Sequence, residues 1–368
     1  MMTTDAAKKR QPKADVPPGH FGHAPTIDIH THIIPEHLPD WAARFGYGGF
    51  IRLEHQLSSC PSCAHMMQGD TLFRRINANC WDDHERISDC DRGGVRMQVL
   101  STIPVMFHYW ARPQDALDTS RFLNDHIAQT VGRHPHRFVG LGTVPLQDPQ
   151  LAIQEMERCV KELGLAGIEI GSHVNEWNLS EPELLPFFEE AERMGAALFV
   201  HPWEMMGHDK MRRYWLPWLV GMPAETSLAI CSMLFAGIFE KFPRLRVAFA
   251  HGGGSFPATF GRIERGFEVR PDLVAVDNPI SPRHYLGRFW LDSLVHDPEM
   301  LDYIARLIGH NRICVGSDYP FPLGESIPGG IVGEMHWTDA EKHQVRWKSA
   351  LEWLNLPDPL RTKFGSKK

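Results

Sequence analysis

Apolar and polar positions along this chain sort into two alternating kinds of segment. Short runs that are apolar almost throughout occupy residues 27–30, 97–101, 138–144, 167–170, 197–201, 246–251, 288–294 and 312–316. An unbroken apolar run of four to seven residues is what a parallel strand covered on both faces requires. Between these runs lie longer stretches with helical spacing, at 113–132, 148–163, 180–194 and 223–241. The first begins with Pro113 and carries Asp115 in its first turn, as a helix N-terminus should. The last places Ala224, Leu228, Cys231, Leu234, Phe235, Ile238 and Phe239 on one stripe, read as a core-facing helix. Eight strand–helix units in order predict a closed but distorted (β/α)8 barrel of the TIM type.

One interval breaks the rhythm. Residues 35–80, between the first and second strands, read as a long irregular insertion. Because it follows a strand, it belongs to the barrel's C-terminal face, where active sites of this architecture sit. Residues 1–25 are polar, with Lys8, Lys9, Arg10 and Lys13 ahead of Pro17 and Pro18, and lack an apolar stretch. They read as a disordered leader, with residues 26–368 forming a single domain.

Composition narrows the function classes. At 368 residues and 43% hydrophobic content the chain can bury a large core, and its net charge of −7 gives no reason to expect nucleic acid or an anionic membrane as partner. No uninterrupted run of 18 apolar residues suggests a membrane span. Seven scattered cysteines form no dense framework, so reduced thiols and a cytoplasmic setting are expected. Cys60-Pro-Ser-Cys63 has the spacing of half a zinc knuckle, but no second pair follows it.

The strand ends carry the chemistry. His30 and His32 close the first strand, two residues apart and so on one side of it. His201 ends the fifth strand, His251 the sixth and Asp318 the eighth. In a parallel barrel all five arrive at one face, and imidazoles with a carboxylate suit zinc with a position left open. His30, His32, His201 and Asp318 read as the ligands. His251, ahead of a Gly-rich turn, reads as a general acid or base, with a fourth imidazole ligand as the alternative. From spacing alone Arg74 and Arg262 are surface arginines and Trp215 is a packing residue. No lysine ends the fourth strand (Gly167-Ile-Glu-Ile-Gly), which argues against a two-metal site bridged by a modified lysine.

Longer strings narrow the reading. They include Arg44-Phe-Gly-Tyr-Gly-Gly, Asn79-Cys-Trp-Asp, Leu100-Ser-Thr-Ile-Pro-Val-Met-Phe, His173-Val-Asn-Glu-Trp, Tyr214-Trp-Leu-Pro-Trp-Leu-Val-Gly-Met-Pro and Ser317-Asp-Tyr-Pro-Phe-Pro-Leu-Gly-Glu. On these strings the chain resembles the 2-amino-3-carboxymuconate-6-semialdehyde decarboxylases, a branch of the amidohydrolase-type metal-dependent barrels. The resemblance runs from about Ile27 to Leu356. It implies zinc-dependent, non-oxidative loss of CO2 from that semialdehyde, in tryptophan–kynurenine catabolism or a related aromatic degradation, with one zinc per subunit and no organic cofactor. The alternative is a decarboxylase or hydrolase of the same fold acting on another aromatic-derived carboxylate. The resemblance also implies that Arg74 and Arg262 hold substrate carboxylates, with Arg262 donated across a homodimer interface, and that Trp215 and Phe321 line the pocket. Addition of hydroxide to the conjugated substrate and direct protonation of the carbon losing CO2 both remain open at this stage.

Overall fold

A computed structural model describes residues 25–55, 60 and 62–359. Apart from Pro25, the expected leader lies outside the described residues.

All eight apolar runs form strands, and they are parallel neighbours in chain order. They are β1 (Thr26–His32), β2 (Val95–Ser101), β3 (Phe138–Gly142), β4 (Gly167–Gly171), β5 (Ala197–His201), β6 (Arg246–Phe249), β7 (Trp290–Asp292) and β8 (Ile313–Cys314). The sheet closes on itself: the Ile29 N–H donates to the Val315 carbonyl and the His32 N–H to the Tyr319 carbonyl, each at 2.8 Å. Closure leaves no barrel edge exposed, and the expected (β/α)8 architecture stands.

Successive side chains of a strand take opposite faces. In β5, Ala197 and Phe199 join an interior cluster with Val99, Leu141 and Ala248, whereas Leu198 and Val200 belong to the larger cluster shared with the surrounding helices. Trp347, Trp353 and Leu354, from the last helical segments, join the interior cluster. The Trp353 indole N–H donates to the Leu198 carbonyl at 3.3 Å.

The helices begin and end where local chemistry dictates. Asp148 accepts hydrogen bonds from the Gln150 and Leu151 N–H groups, capping the helix Pro149–Lys161. The stretch read as one helix over 223–241 is two, Met222–Phe235 and Ile238–Lys241, separated at Gly237, which adopts φ 69°. Its buried face also differs from the expected stripe. Glu225, Ala229, Ile230, Met233 and Leu234 face inward, and Leu228 is 37% exposed. A helix apolar on nearly every side gives no unique face, so its orientation follows from packing rather than pattern. The helical stretch Pro217–Phe235 is long and apolar enough to span a membrane by length and composition alone. Its buried side chains belong to the barrel's helix-facing core.

The insertion is more ordered than its sequence suggested. Ile51–Glu54, Cys63–Gln68 and Thr71–Asn77 form a three-stranded antiparallel sheet. Its tight turn is Gly69-Asp70, with Gln68 opposite Thr71 and Gly69 at φ 56°. Cys60 and Cys63 form a disulfide at one end of this sheet. That corrects two expectations: not every thiol is reduced, and these two sulfurs are not thiolates available to zinc. The other five cysteines are free.

Candidate metal centre

The strand ends bring all five expected groups to one point at the barrel's C-terminal mouth. The His30 ring centroid lies 5.2 Å from that of His32, 5.1 Å from His201 and 5.0 Å from His251. Asp318 stands among them, with Oδ1 3.1 Å from His32 Nε2 and 3.5 Å from His30 Nε2, and Oδ2 4.0 Å from His251 Nε2. One ligand atom from each of His30, His201, His251 and Asp318 can be chosen within 4.8 Å of the others, so His251 is as close to the centre as the expected ligands.

The ring nitrogens divide the histidines into two kinds. In His30, His32 and His201, Nδ1 is engaged outward, with Asp292 Oδ2 at 2.7 Å, the Thr102 carbonyl at 2.8 Å and the Pro202 carbonyl at 2.8 Å. Their Nε2 atoms are buried and have no hydrogen-bond partner among the described residues. Three orphaned imidazole nitrogens turned to one point around a carboxylate fit a divalent metal, and the outward bonds are those that orient metal-bound histidines. His251 has the reverse pattern: its Nδ1 is the buried nitrogen without a partner. Its side chain is also 16% exposed, against at most 1% for His30 and His32.

Electrostatics favours neutral imidazoles at His32 and His201 and an ionised carboxylate at Asp318, whereas at His30 burial opposes the charge but the bond to Asp292 and attraction from Asp318 raise the pKa. Burial pushes His32 and His201 below the usual histidine range, and His201 is lowered further by the neighbouring imidazoles. Burial opposes the charge on Asp318, but the neighbouring imidazoles of His251, His32 and His30 hold it well below the usual carboxylate range.

Backbone strain concentrates here. Non-glycine residues His251, Asp318, Tyr214 and Trp215 adopt φ of 56°, 55°, 62° and 58°. Such conformations cost energy and persist where surroundings enforce them.

Several supporting residues were not singled out from sequence. Asp292, at the end of β7, accepts from His30 Nδ1 and from the backbone N–H groups of His251, Gly252 and Leu294. Asp28 accepts from Ser317 Oγ at 2.6 Å and from the Ser317 and His30 N–H groups. Arg86, fully buried, donates to the His32 carbonyl and to Gln98 Oε1. Glu169 on β4 lies 3.7 Å from His32 Nδ1, and burial raises its pKa well above the usual range. Asp28, Glu169 and Asp292 are each an acid within an apolar strand run, a pattern present in the sequence, whereas Arg86 lies in the charged helix Asp83–Gly93.

A cavity of about 340 Å³ opens above the cluster, lined by His32, His201, Asp318, Arg74, Trp215 and Phe321. Arg74 reaches it from the inserted sheet, its guanidinium 4.4 Å from the Phe321 ring centroid. Burial disfavours its charge and Asp318 favours it, with burial the larger effect. Trp110 and Trp218 add aromatic wall that sequence reading did not identify. Arg262 does not reach this cavity: it is exposed on the helix Phe256–Val269.

The profile of the Amidohydrolase family matches residues 27–356. The 2-amino-3-carboxymuconate-6-semialdehyde decarboxylase of Dictyostelium discoideum is 55% identical over 334 residues, covering 90% of this chain and 92% of that protein. The protein of the same name from Caenorhabditis elegans is 38% identical over 385 residues, covering 91% and 95%. Among solved structures, dihydroxybenzoic acid decarboxylase from Polaromonas sp. JS666, with bound manganese and the inhibitor 2-nitroresorcinol, matches with a TM-score of 0.72 at 21% identity, covering 93% of this chain and all of that one. This chain belongs to the Amidohydrolase family and, within it, to the branch of the 2-amino-3-carboxymuconate-6-semialdehyde decarboxylases. It is a carboxy-lyase.

Proposed function

We propose that this enzyme removes CO2 from 2-amino-3-carboxymuconate-6-semialdehyde at a single zinc held by His30, His32, His201 and Asp318. The observation that carries the reading is the set of three buried imidazoles anchored at Nδ1 and orphaned at Nε2 around one carboxylate. The two relatives named for this substrate support it. Borderline ligands of this kind suit zinc, and manganese in the dihydroxybenzoate enzyme makes metal identity part of the test.

The chemical problem is the electron pair left on carbon when the C–C bond to the carboxylate breaks. A proton must replace CO2 there. When bound, the metal supplies Lewis acidity that stabilises developing negative charge. His251 is assigned as the proton carrier. Its Nε2 lies 4.0 Å from Asp318, and it lacks the outward Nδ1 anchor of the three ligands. An imidazole can both accept and donate a proton through its ring nitrogens, which suits that role.

Arg74 is assigned to a substrate carboxylate, since a guanidinium offers two parallel donors. The aromatic walls at Trp215 and Phe321 exclude water from the conjugated body.

The second carboxylate falls to Arg262 of a neighbouring subunit. Arg262 is exposed and forms no ion pair among the described residues. Leu219 and Val220, each 51% exposed, and Leu228 leave apolar surface for a homodimer contact. The reading places the enzyme in tryptophan–kynurenine breakdown or a related aromatic degradation.

The test is a spectrophotometric assay with freshly generated 2-amino-3-carboxymuconate-6-semialdehyde. Loss of the substrate's conjugated absorbance together with CO2 release supports the assignment. Turnover of 2,6-dihydroxybenzoate but not of the semialdehyde would move the enzyme to the benzoate decarboxylases.

A further inference from the structure

A second cavity, of about 800 Å³, lies at the opposite end of the barrel. Arg246 is the first residue of β6, Trp290 the first of β7, and Arg312 immediately precedes β8. His251 follows β6, Asp292 ends β7 and Asp318 follows β8, so strand length alone separates the two sites by roughly 15 Å.

The walls of this cavity are cationic. Arg244, Arg246, Arg288, Arg312 and Lys348 face it against two carboxylates, Glu352 and Asp358. Arg244 is paired at the rim, with Nη2 3.5 Å from Glu192. Among the described residues, Arg246, Arg288, Arg312 and Lys348 form no ion pair within 4.0 Å. Arg246, Arg288 and Arg312 are nevertheless half-buried. Burial lowers the pKa of Arg246 and Arg312; at Arg312 attraction from Glu352 opposes this and a smaller repulsion from Arg288 adds to it. Such charges are retained at a cost that a bound anion would offset.

The floor is apolar. Leu245 and Leu351 are buried, and the Trp290 ring lies 4.2 Å from the Arg312 guanidinium. The Trp290 indole N–H is buried without an acceptor among the described residues.

We propose that this cavity at the base of the barrel binds a phosphorylated small molecule carrying two or more negative charges and an apolar or aromatic body. Guanidinium forks match phosphate geometry, and a cavity of this volume holds a ligand of nucleotide size. The site is separate from the proposed decarboxylation site and uses none of its residues.

The test is isothermal titration of the full-length, metal-loaded enzyme with ATP, tripolyphosphate and adenosine. Arg288→Glu and Lys348→Glu serve as the variants, because neither side chain forms a hydrogen bond or ion pair among the described residues. The expected result is salt-sensitive binding of ATP, weakened about tenfold or more in each variant. Binding should be unchanged in Arg74→Ala, which removes the cation from the upper cavity. Adenosine should bind far more weakly than ATP. Tripolyphosphate weaker than ATP supports a role for the apolar floor, and equal affinity would overturn that part of the proposal. Absence of ATP binding at about 1 mM, binding indifferent to both variants, or binding lost in Arg74→Ala would each overturn the site.

Discussion

His30 and Asp292, 262 residues apart in sequence, meet at 2.7 Å between Nδ1 and Oδ2, both fully buried. The contact turns His30 Nε2 toward Asp318. The same carboxylate also receives the backbone N–H groups of His251 and Gly252, so one aspartate orients a proposed ligand and the proposed proton carrier together. Asp292→Asn nearly preserves volume but replaces one acceptor oxygen with a donor. Metal affinity, measured by chelator competition, is expected to fall roughly 10–100-fold. Unchanged affinity would remove Asp292 from the orienting role.

His251→Asn tests the division between ligands and proton carrier. Turnover is expected to fall roughly 10²–10⁴-fold, with metal content by elemental analysis equal to wild type. Loss of the metal in this variant would make His251 a ligand, as its proximity to His30, His201 and Asp318 permits.

The two arginines make a complementation experiment possible. The Arg74→Ala and Arg262→Ala variants are each expected to be nearly inactive through raised KM. If Arg262 serves the neighbouring subunit, a mixed dimer contains one site lacking both arginines and one site retaining both. Mixing the variants should therefore restore part of the activity. No recovery, with subunit exchange verified by mass, would place Arg262 outside the shared site.

Acid stability follows from histidines remote from the metal. Burial depresses His108 to about 3 and His126 to about 4. An unfolded histidine titrates near 6.5, so below that pH the unfolded chain takes up protons that the folded chain refuses. The contribution is fully present above pH 6.5 and is lost as pH falls toward 3. For His108 the loss is on the order of 3 kcal/mol at pH 4. His108 adopts φ 52°, which asparagine tolerates, so His108→Asn is the suitable variant. Its urea stability should change less between pH 7 and pH 4 than that of wild type. Equal changes would contradict the assignment.

Much of the barrel was legible because parallel strands covered on both faces leave an unmistakable apolar run. Residues at or just beyond the ends of those runs, His201, His251 and Asp318, had to share one face. The inserted sheet was hidden because Ile51–Glu54 and Thr71–Asn77 mix charged and apolar residues without sustained alternation, although Gly69-Asp70 was a usable turn signal. Asp28, Glu169 and Asp292 were passed over because a single acid inside an apolar strand reveals nothing about its partners until the barrel closes. The face of Met222–Phe235 was unreadable for the opposite reason, too many apolar positions.

The central claim is that carbon dioxide release depends on one divalent metal at the His30, His32, His201 and Asp318 cluster. Its most direct test is a titration of chelator-stripped enzyme with zinc, following CO2 release from the semialdehyde. Activity should rise from near zero and break at one equivalent per chain. Full turnover by enzyme proven metal-free would contradict the account.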